Sequence, residues 1–317
     1  MKKGKLKLIN PEIRLEVTNI CNANCIMCPR EKMKRPQGIL SMELYKRIVD
    51  EAAAAGATTV SLENYGEPFC DPFLEERTIY AKRKGLSTFT ITNASLLDVT
   101  RAEKIVLAGL DKLRISMYGV TKDVYESIHK GLKFETVSEN VLNLFKIRNK
   151  LGSRTPRVEM YFLLLEENKH QIDLFRKKWE NTADYVSIWK PHNWSDGRAF
   201  RKLPHQDKKS CGRPFTGPLQ VMWNGLVVPC CFDYDGRIIL GDLNKQSLHE
   251  VMHDPRYDAL REAHKKGEFD KYGFCNGCDQ LYKREDVLVY TNIKGSRVGA
   301  TNTTYFDLQK KPSVSRK

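Results

Sequence analysis

The chain has 317 residues, 41% hydrophobic and 29% charged, enough for one large α/β unit and a smaller one around a sizeable core. It opens on lysines without reaching an apolar stretch, and its longest notable apolar run, Met160 to Leu165, is too short to cross a bilayer. That argues against a signal peptide or membrane span and predicts a cytoplasmic protein. Nine cysteines then point to metal or redox chemistry rather than disulfides. The formal charge of +14 would suit an anionic substrate or nucleic acid, or more simply a solvated basic surface, since the basic clusters, Lys2 to Lys7 and Lys310 to Lys317, sit at the ends. A basic stripe on one helix would signal nucleic acid more strongly.

In chain order, Ile13 to Val17 reads as a strand running into a cysteine-rich loop. A helix is predicted over 41–55, with Ser41 as N-cap and Gly56 as stop. Strand 58–62 ends at Tyr65-Gly66-Glu67-Pro68. Helix 72–84, strand 86–92, helix 99–108 and strand 112–117 follow, then two helical pieces within 121–150, strand 157–165, helix 169–179 and strand 185–189. Strands alternating with helices predict a parallel sheet with right-handed crossovers. Periodicity alone allows an open doubly wound sheet or a partial barrel. In both, ligands sit at the carboxyl ends of the strands, where Cys21, Glu67, Asn93 and Ser116 fall.

The polar stretch 200–210 breaks the alternation. Beyond it, Leu219 to Val228 carries Asn224-Gly225, the strongest short-range hairpin signal. Ser247 to Glu250 forms a capping box ahead of a short helix, and a second helix is predicted over 256–265. The basic segment after Thr291 has the composition of a partly disordered tail.

Cys21, Cys25 and Cys28 form C-x3-C-x2-C. Thiolates suit zinc, Cu(I) or iron–sulfur clusters. Three of them on a cubane leave one iron open to a non-protein ligand. This motif after the first strand of a βα series resembles the radical S-adenosylmethionine (SAM) superfamily. The resemblance implies a partial (β/α)6 barrel over residues 10–200, with SAM chelating the open iron. One electron then cleaves SAM to a 5′-deoxyadenosyl radical that takes a hydrogen atom from substrate. It implies an electron donor such as flavodoxin or ferredoxin. Tyr65, Gly66 and Glu67 resemble the family's glycine–glutamate motif for the SAM amino group, although Tyr65 stands where many members have glycine. Asn93 and Ser116 match the positions near the SAM ribose and carboxylate, and Met27 the position beside the adenine.

Cys211, Cys230, Cys275 and Cys278 surround the hairpin, the last two as C-x2-C. They resemble the auxiliary-cluster domain called SPASM, in its one-cluster form, twitch. That implies a small β-hairpin and helix domain over residues 205–290 binding a second [4Fe–4S] cluster, with residues 291–317 as a basic tail. A zinc knuckle would use the same four thiolates. Cys70 reads as packing. Cys231 is the candidate catalytic thiol, since an S–H can return a hydrogen atom to a carbon radical, as in some radical-SAM epimerases. It could also replace Cys230 as ligand.

The substrate radical has two fates, dehydrogenation if a cluster takes its electron and epimerisation if Cys231 gives it hydrogen. About ten residues precede the first strand, too few for the leader-binding domain of many peptide-modifying relatives. A polar small molecule, such as a sugar or aminocyclitol, is therefore expected over a peptide. Tyr65, Tyr118, Lys190, His192 and Asp233 are candidate contacts at strand ends. An RNA-modifying radical-SAM enzyme is a further alternative. The competing non-enzyme reading is a basic, zinc-bearing nucleic-acid binder, but no interleaved surface aromatics or nucleic-acid motif support it.

Overall fold

The computed structural model describes residues 8–196, 198, 200, 207–282 and 287–293. The lysines of the amino terminus, the segment 201–206 and the basic tail from 294 lie outside the described residues.

Five β-then-α units and a terminal strand run as anticipated. They are β1 (Glu12–Leu15), α1 (Met42–Ala54), β2 (Thr59–Ser61), α2 (Leu74–Arg83), β3 (Ser87–Thr92), α3 (Val99–Leu107), β4 (Lys112–Ser116), α4 (Lys122–Ile128), α5 (Phe134–Lys150), β5 (Arg157–Leu163), α6 (Ile172–Trp179) and β6 (Tyr185–Trp189). The Ser41 hydroxyl accepts from Leu44 N–H and so caps α1. The carboxyl-terminal part adds α7 (Arg213–Thr216), the hairpin β7 (Leu219–Val221) and β8 (Leu226–Val228), β9 (Gly241–Asp242), α8 (Leu248–Met252), α9 (Pro255–Lys266), α10 (Gly273–Asn276) and β10 (Leu288–Thr291). The expected capping box at Ser247 and Glu250 is present.

One ten-stranded sheet runs β10-β6-β5-β4-β3-β2-β1-β7-β8-β9. Its centre is parallel, from β6 across to β7, and antiparallel strands finish both edges. Two features were not legible in advance. Strand β10 pairs with β6, and β7 pairs in parallel with β1, so the sheet runs on from the βα series into the cysteine hairpin. Among the described residues no helix is long and apolar enough to cross a membrane.

Side chains alternate between the two faces of a strand. Ile13, Leu15, Val60, Leu113, Ile115, Val158, Met160, Val186 and Ile188 lie in the main core with the helices. The opposite face carries Glu12, Arg14, Glu16, Ser61, Arg114, Glu159, Tyr161 and Ser187, by strand register. Those charges are paired, Arg14 with Glu12 on its own strand, Glu16 with Arg35, and others across strands. Ser61 Oγ donates to Glu12 at 2.6 Å, and Arg114 pairs with Glu159 at 3.0 Å. A buried charged sheet face is costly unless paired. Here it forms a polar floor beneath the strand ends.

Candidate active site

The cysteine loop is closed at its neck. Leu40 N–H donates to the Val17 carbonyl, and the Asn19 side chain bridges Gly38 N–H and the Pro36 carbonyl. Between these ends Cys21, Cys25 and Cys28 lie within electrostatic reach of one another. Burial pushes the Cys21 thiol up to about 12 and also raises Cys25 and Cys28. A bound metal must therefore displace these protons.

The glycine–glutamate turn packs directly on this neck. A Cβ on Gly66 would fall 2.3 Å from the Thr18 carbonyl oxygen. The glycine is thus required by the protein's own backbone, a reason beyond the ligand approach that the motif suggests. Glu67 N–H donates to the Ile20 carbonyl at 2.9 Å. The Glu67 carboxylate is buried and accepts from Thr92 Oγ1 at 2.6 Å, Asn93 N–H at 2.8 Å and Phe69 N–H at 3.2 Å. Desolvation nevertheless lifts its carboxyl to about 7. Such a group gains from a cationic partner.

The structure brings Asn93 to Glu67 through that backbone bond, and the Asn93 amide donates to Asn22 in the cysteine loop at 3.1 Å. Ser116, at the end of β4, hydrogen-bonds with Tyr118. Met27 is buried in an apolar cluster with Tyr118, Ile128, Leu163 and Trp189. Cys70 is half-buried beside Glu67.

The second group forms around the hairpin. Cys211 is an electrostatic neighbour of Cys230, Cys275 and Cys278. All four pack with Phe232, Phe269 and Phe274. Burial pushes the Cys275 thiol up to about 12 and raises Cys230 and Cys278. All nine cysteines are free thiols. Among the described residues no three His, Cys, Asp or Glu side chains converge tightly enough for a single metal ion. A cubane instead spreads its sulfurs over separate irons, and all-thiolate sets of three and four fit it.

Cys231 packs in the same cluster, beside Cys230, but makes bonds of its own. An Arg213 N–H donates to its sulfur at 3.2 Å, and the Tyr65 hydroxyl donates to its carbonyl at 2.5 Å. Arg213 lies over the Phe232 ring, 4.8 Å from its centroid. Tyr65 packs against Trp194 and Tyr234, and the Trp194 Nε1–H reaches the Met27 carbonyl at 3.0 Å. These aromatics thus join the two cysteine groups. Sequence reasoning missed Arg213, Trp194 and His129, whose Nδ1 lies 3.2 Å from Cys25 Sγ. Nothing in their local sequence marks them, because each acts through a partner distant in the chain.

The other expected polar contacts are mixed. The Asp233 carboxylate accepts from Arg237 and Ile238 N–H groups and holds its own turn, a structural use. His192 meets Gln280 at 3.0 Å. Lys190 N–H pairs with the Val287 carbonyl. Tyr118 is buried against Tyr161 and His129.

Comparison with known proteins agrees with this geometry. The S-adenosyl-L-methionine-dependent 2-deoxy-scyllo-inosamine dehydrogenase of Niallia circulans is 21% identical over 276 residues, covering 85% of this chain and 92% of that protein. A probable GTP 3′,8-cyclase of Saccharolobus solfataricus is 29% identical over 252 residues, covering 75% and 79%. The crystal structure of BtrN in complex with AdoMet and 2-DOIA superposes with a TM-score of 0.59 at 18% identity, over 86% of this chain and 94% of that one. Streptococcus suis SuiB bound to precursor peptide SuiA gives 0.64 at 15% identity, over 87% and 70%. The SPASM iron–sulfur cluster-binding domain matches residues 211–279. The Radical SAM superfamily matches residues 15–178, more than half the sequence, and the chain belongs to that superfamily.

Proposed function

We propose that this radical-SAM enzyme dehydrogenates a polar small molecule of the sugar or aminocyclitol type, held over the charged sheet face. Its cofactors are SAM and two [4Fe–4S] clusters. In this reading Cys21, Cys25 and Cys28 hold the SAM-binding cluster, and Cys211, Cys230, Cys275 and Cys278 the auxiliary one. When bound, the first cluster and SAM supply hydrogen-atom abstraction, and the second cluster supplies a one-electron acceptor. A flavodoxin or ferredoxin serves as reductant.

The chain's own residues position and neutralise. Glu67 takes the SAM ammonium, while Asn93, Ser116 and Met27 line the rest of SAM. Tyr65 closes the space between the two cysteine groups and excludes water.

The observation that carries the substrate class is the polar floor. Glu63 is half-buried, its carboxyl is raised by desolvation, and Arg14 is its principal opposing charge. Gln220 Nε2 is buried without a partner among the described residues. A hydroxylated substrate offers such groups both donors and acceptors. Glu63 would accept the hydroxyl proton released as a carbinol becomes a carbonyl, or pair with a substrate ammonium. The dehydrogenase of Niallia circulans, an aminocyclitol enzyme by name, supports this class. The same relative, a dehydrogenase by name, supports oxidation over epimerisation by Cys231.

The test is anaerobic reconstitution, reduction and incubation with SAM and panels of aminocyclitols, sugars and peptides. A two-hydrogen mass loss in a polyol, with one 5′-deoxyadenosine per product, is expected. Turnover confined to peptides would overturn the reading.

A further inference from the structure

We propose that His129 tunes the SAM-binding cluster, by donating Nδ1–H to Cys25 Sγ and so raising the cluster's reduction potential. The inference rests on Cys25 being a ligand of that cluster. Sulfur and nitrogen are 3.2 Å apart. The contact is built from the backbone outward. The break between α4 and α5 lies against the cysteine loop, where Asn24 N–H donates to the Lys130 carbonyl at 2.8 Å and Ile26 N–H to the Ile128 carbonyl at 3.0 Å. These two bonds flank the pair and set residue 129 opposite residue 25.

The direction of the bond follows from its far side. Tyr118 N–H donates to His129 Nε2 at 3.2 Å. A backbone amide can only donate, so Nε2 presents its lone pair and the ring proton sits on Nδ1. The ring is 1% exposed and packs against Tyr118 at 4.7 Å and Tyr125 at 4.5 Å, between centroids. It is held in place and shielded from water.

Reduction adds one negative charge to the cluster and its sulfurs. An N–H dipole aimed at a ligand sulfur stabilises that charge, and hydrogen bonds to sulfur are among the controls on cluster potential. No bond is made or broken. His129 is a positioning residue that acts through Cys25.

The test is a redox titration of the reconstituted holoenzyme without SAM, followed by electron paramagnetic resonance. The relevant cluster is the one whose signal shifts when SAM is added. In His129→Phe, the reduced-to-oxidised ratio at a fixed poise is expected to fall about tenfold, a shift of about 59 mV to lower potential for a one-electron couple. His129→Gln keeps an N–H donor and a carbonyl acceptor and should stay near the native potential. An unchanged potential in His129→Phe with its iron intact would overturn the proposal. Should that variant not fold, pulsed resonance on native enzyme carrying ¹⁵N-histidine reads the same bond, and absence of a nitrogen coupling at the reduced SAM cluster would overturn it equally. A Cys25→Ala protein that keeps the SAM-responsive signal would instead sink the ligand assignment.

Discussion

Gly66 and Thr18 stand so close that a Cβ on the glycine would lie 2.3 Å from the threonine carbonyl oxygen and 2.9 Å from Asn19 Cα. Both obstacles are backbone, so no side chain can swing away. Gly66→Ala must push the glutamate turn off the neck of the cysteine loop. Overpacking of this kind costs about 1–3 kcal/mol. The expected result is a lower melting temperature together with loss of SAM binding, since Glu67 moves with the turn. Calorimetry and SAM titration of the variant check both, and native SAM affinity would count against the packing argument.

The Glu67 carboxyl, raised to about 7 by burial, predicts how SAM affinity depends on pH. The ammonium of SAM needs a carboxylate partner, so binding should tighten as pH climbs through about 7. An α-amino group titrates near about 8, so binding should weaken again above that. Titration calorimetry from pH 6 to 9 should show the bell, and Glu67→Gln should flatten its acid limb and weaken binding throughout. Stability responds with the opposite sign. The folded carboxyl keeps a proton that the unfolded one releases above 4.5, so this group makes the apo-protein less stable as pH rises from 4.5 toward about 7.

Arg77 and Asp71 form a fully buried pair, with Nε 2.6 Å from Oδ2. The same guanidinium donates to the Leu40 carbonyl, at the neck of the cysteine loop, and lies over the Tyr45 ring. Arg77→Leu leaves a buried carboxylate without its cation, at a cost of about 3–5 kcal/mol. Arg77→Leu with Asp71→Asn should recover part of that, because the stranded charge is gone while the amide oxygen can still accept from Phe73 N–H. Thermal unfolding of the three proteins decides. Equal losses in the single and double variants would show that the charge is not the cause.

Local chemistry made much of the chain legible. The caps at Ser41 and Ser247, the Asn224-Gly225 turn and the βα alternation depend on neighbours a few residues apart, and the structure has them. Cys21, Cys25 and Cys28 could be grouped in advance because they come from one short loop, and the structure keeps them near one another. Contacts between distant segments were not. Arg213 reaches Cys231 from 18 residues away, and His129 reaches Cys25 from 104. Strand β10 is four residues long and acquires its place only by pairing with β6. Gly66 was recognised from its motif, yet its steric reason lies in the backbone of another segment.

The adjacent thiols Cys230 and Cys231 give the sharpest test of the chemistry. Cys230 has Cys211 and Cys278 among its electrostatic neighbours, whereas Cys231 accepts from Arg213 and its carbonyl takes the Tyr65 hydroxyl. Two cubanes carry about eight irons. Cys230→Ala should lose up to about four of them, and Cys231→Ala should keep nearly all. Product analysis then separates the two fates of the substrate radical. If the auxiliary cluster takes the electron, Cys231→Ala still yields a product two hydrogens lighter, at a rate lowered only by the disturbed Arg213 contact. If Cys231 supplies a hydrogen atom, native enzyme in heavy water returns an isomer in which one hydrogen is replaced by deuterium, and the alanine variant abolishes it. Iron loss in Cys231→Ala rather than Cys230→Ala would exchange the roles of the two sulfurs and make the Arg213 hydrogen bond one to a cluster ligand.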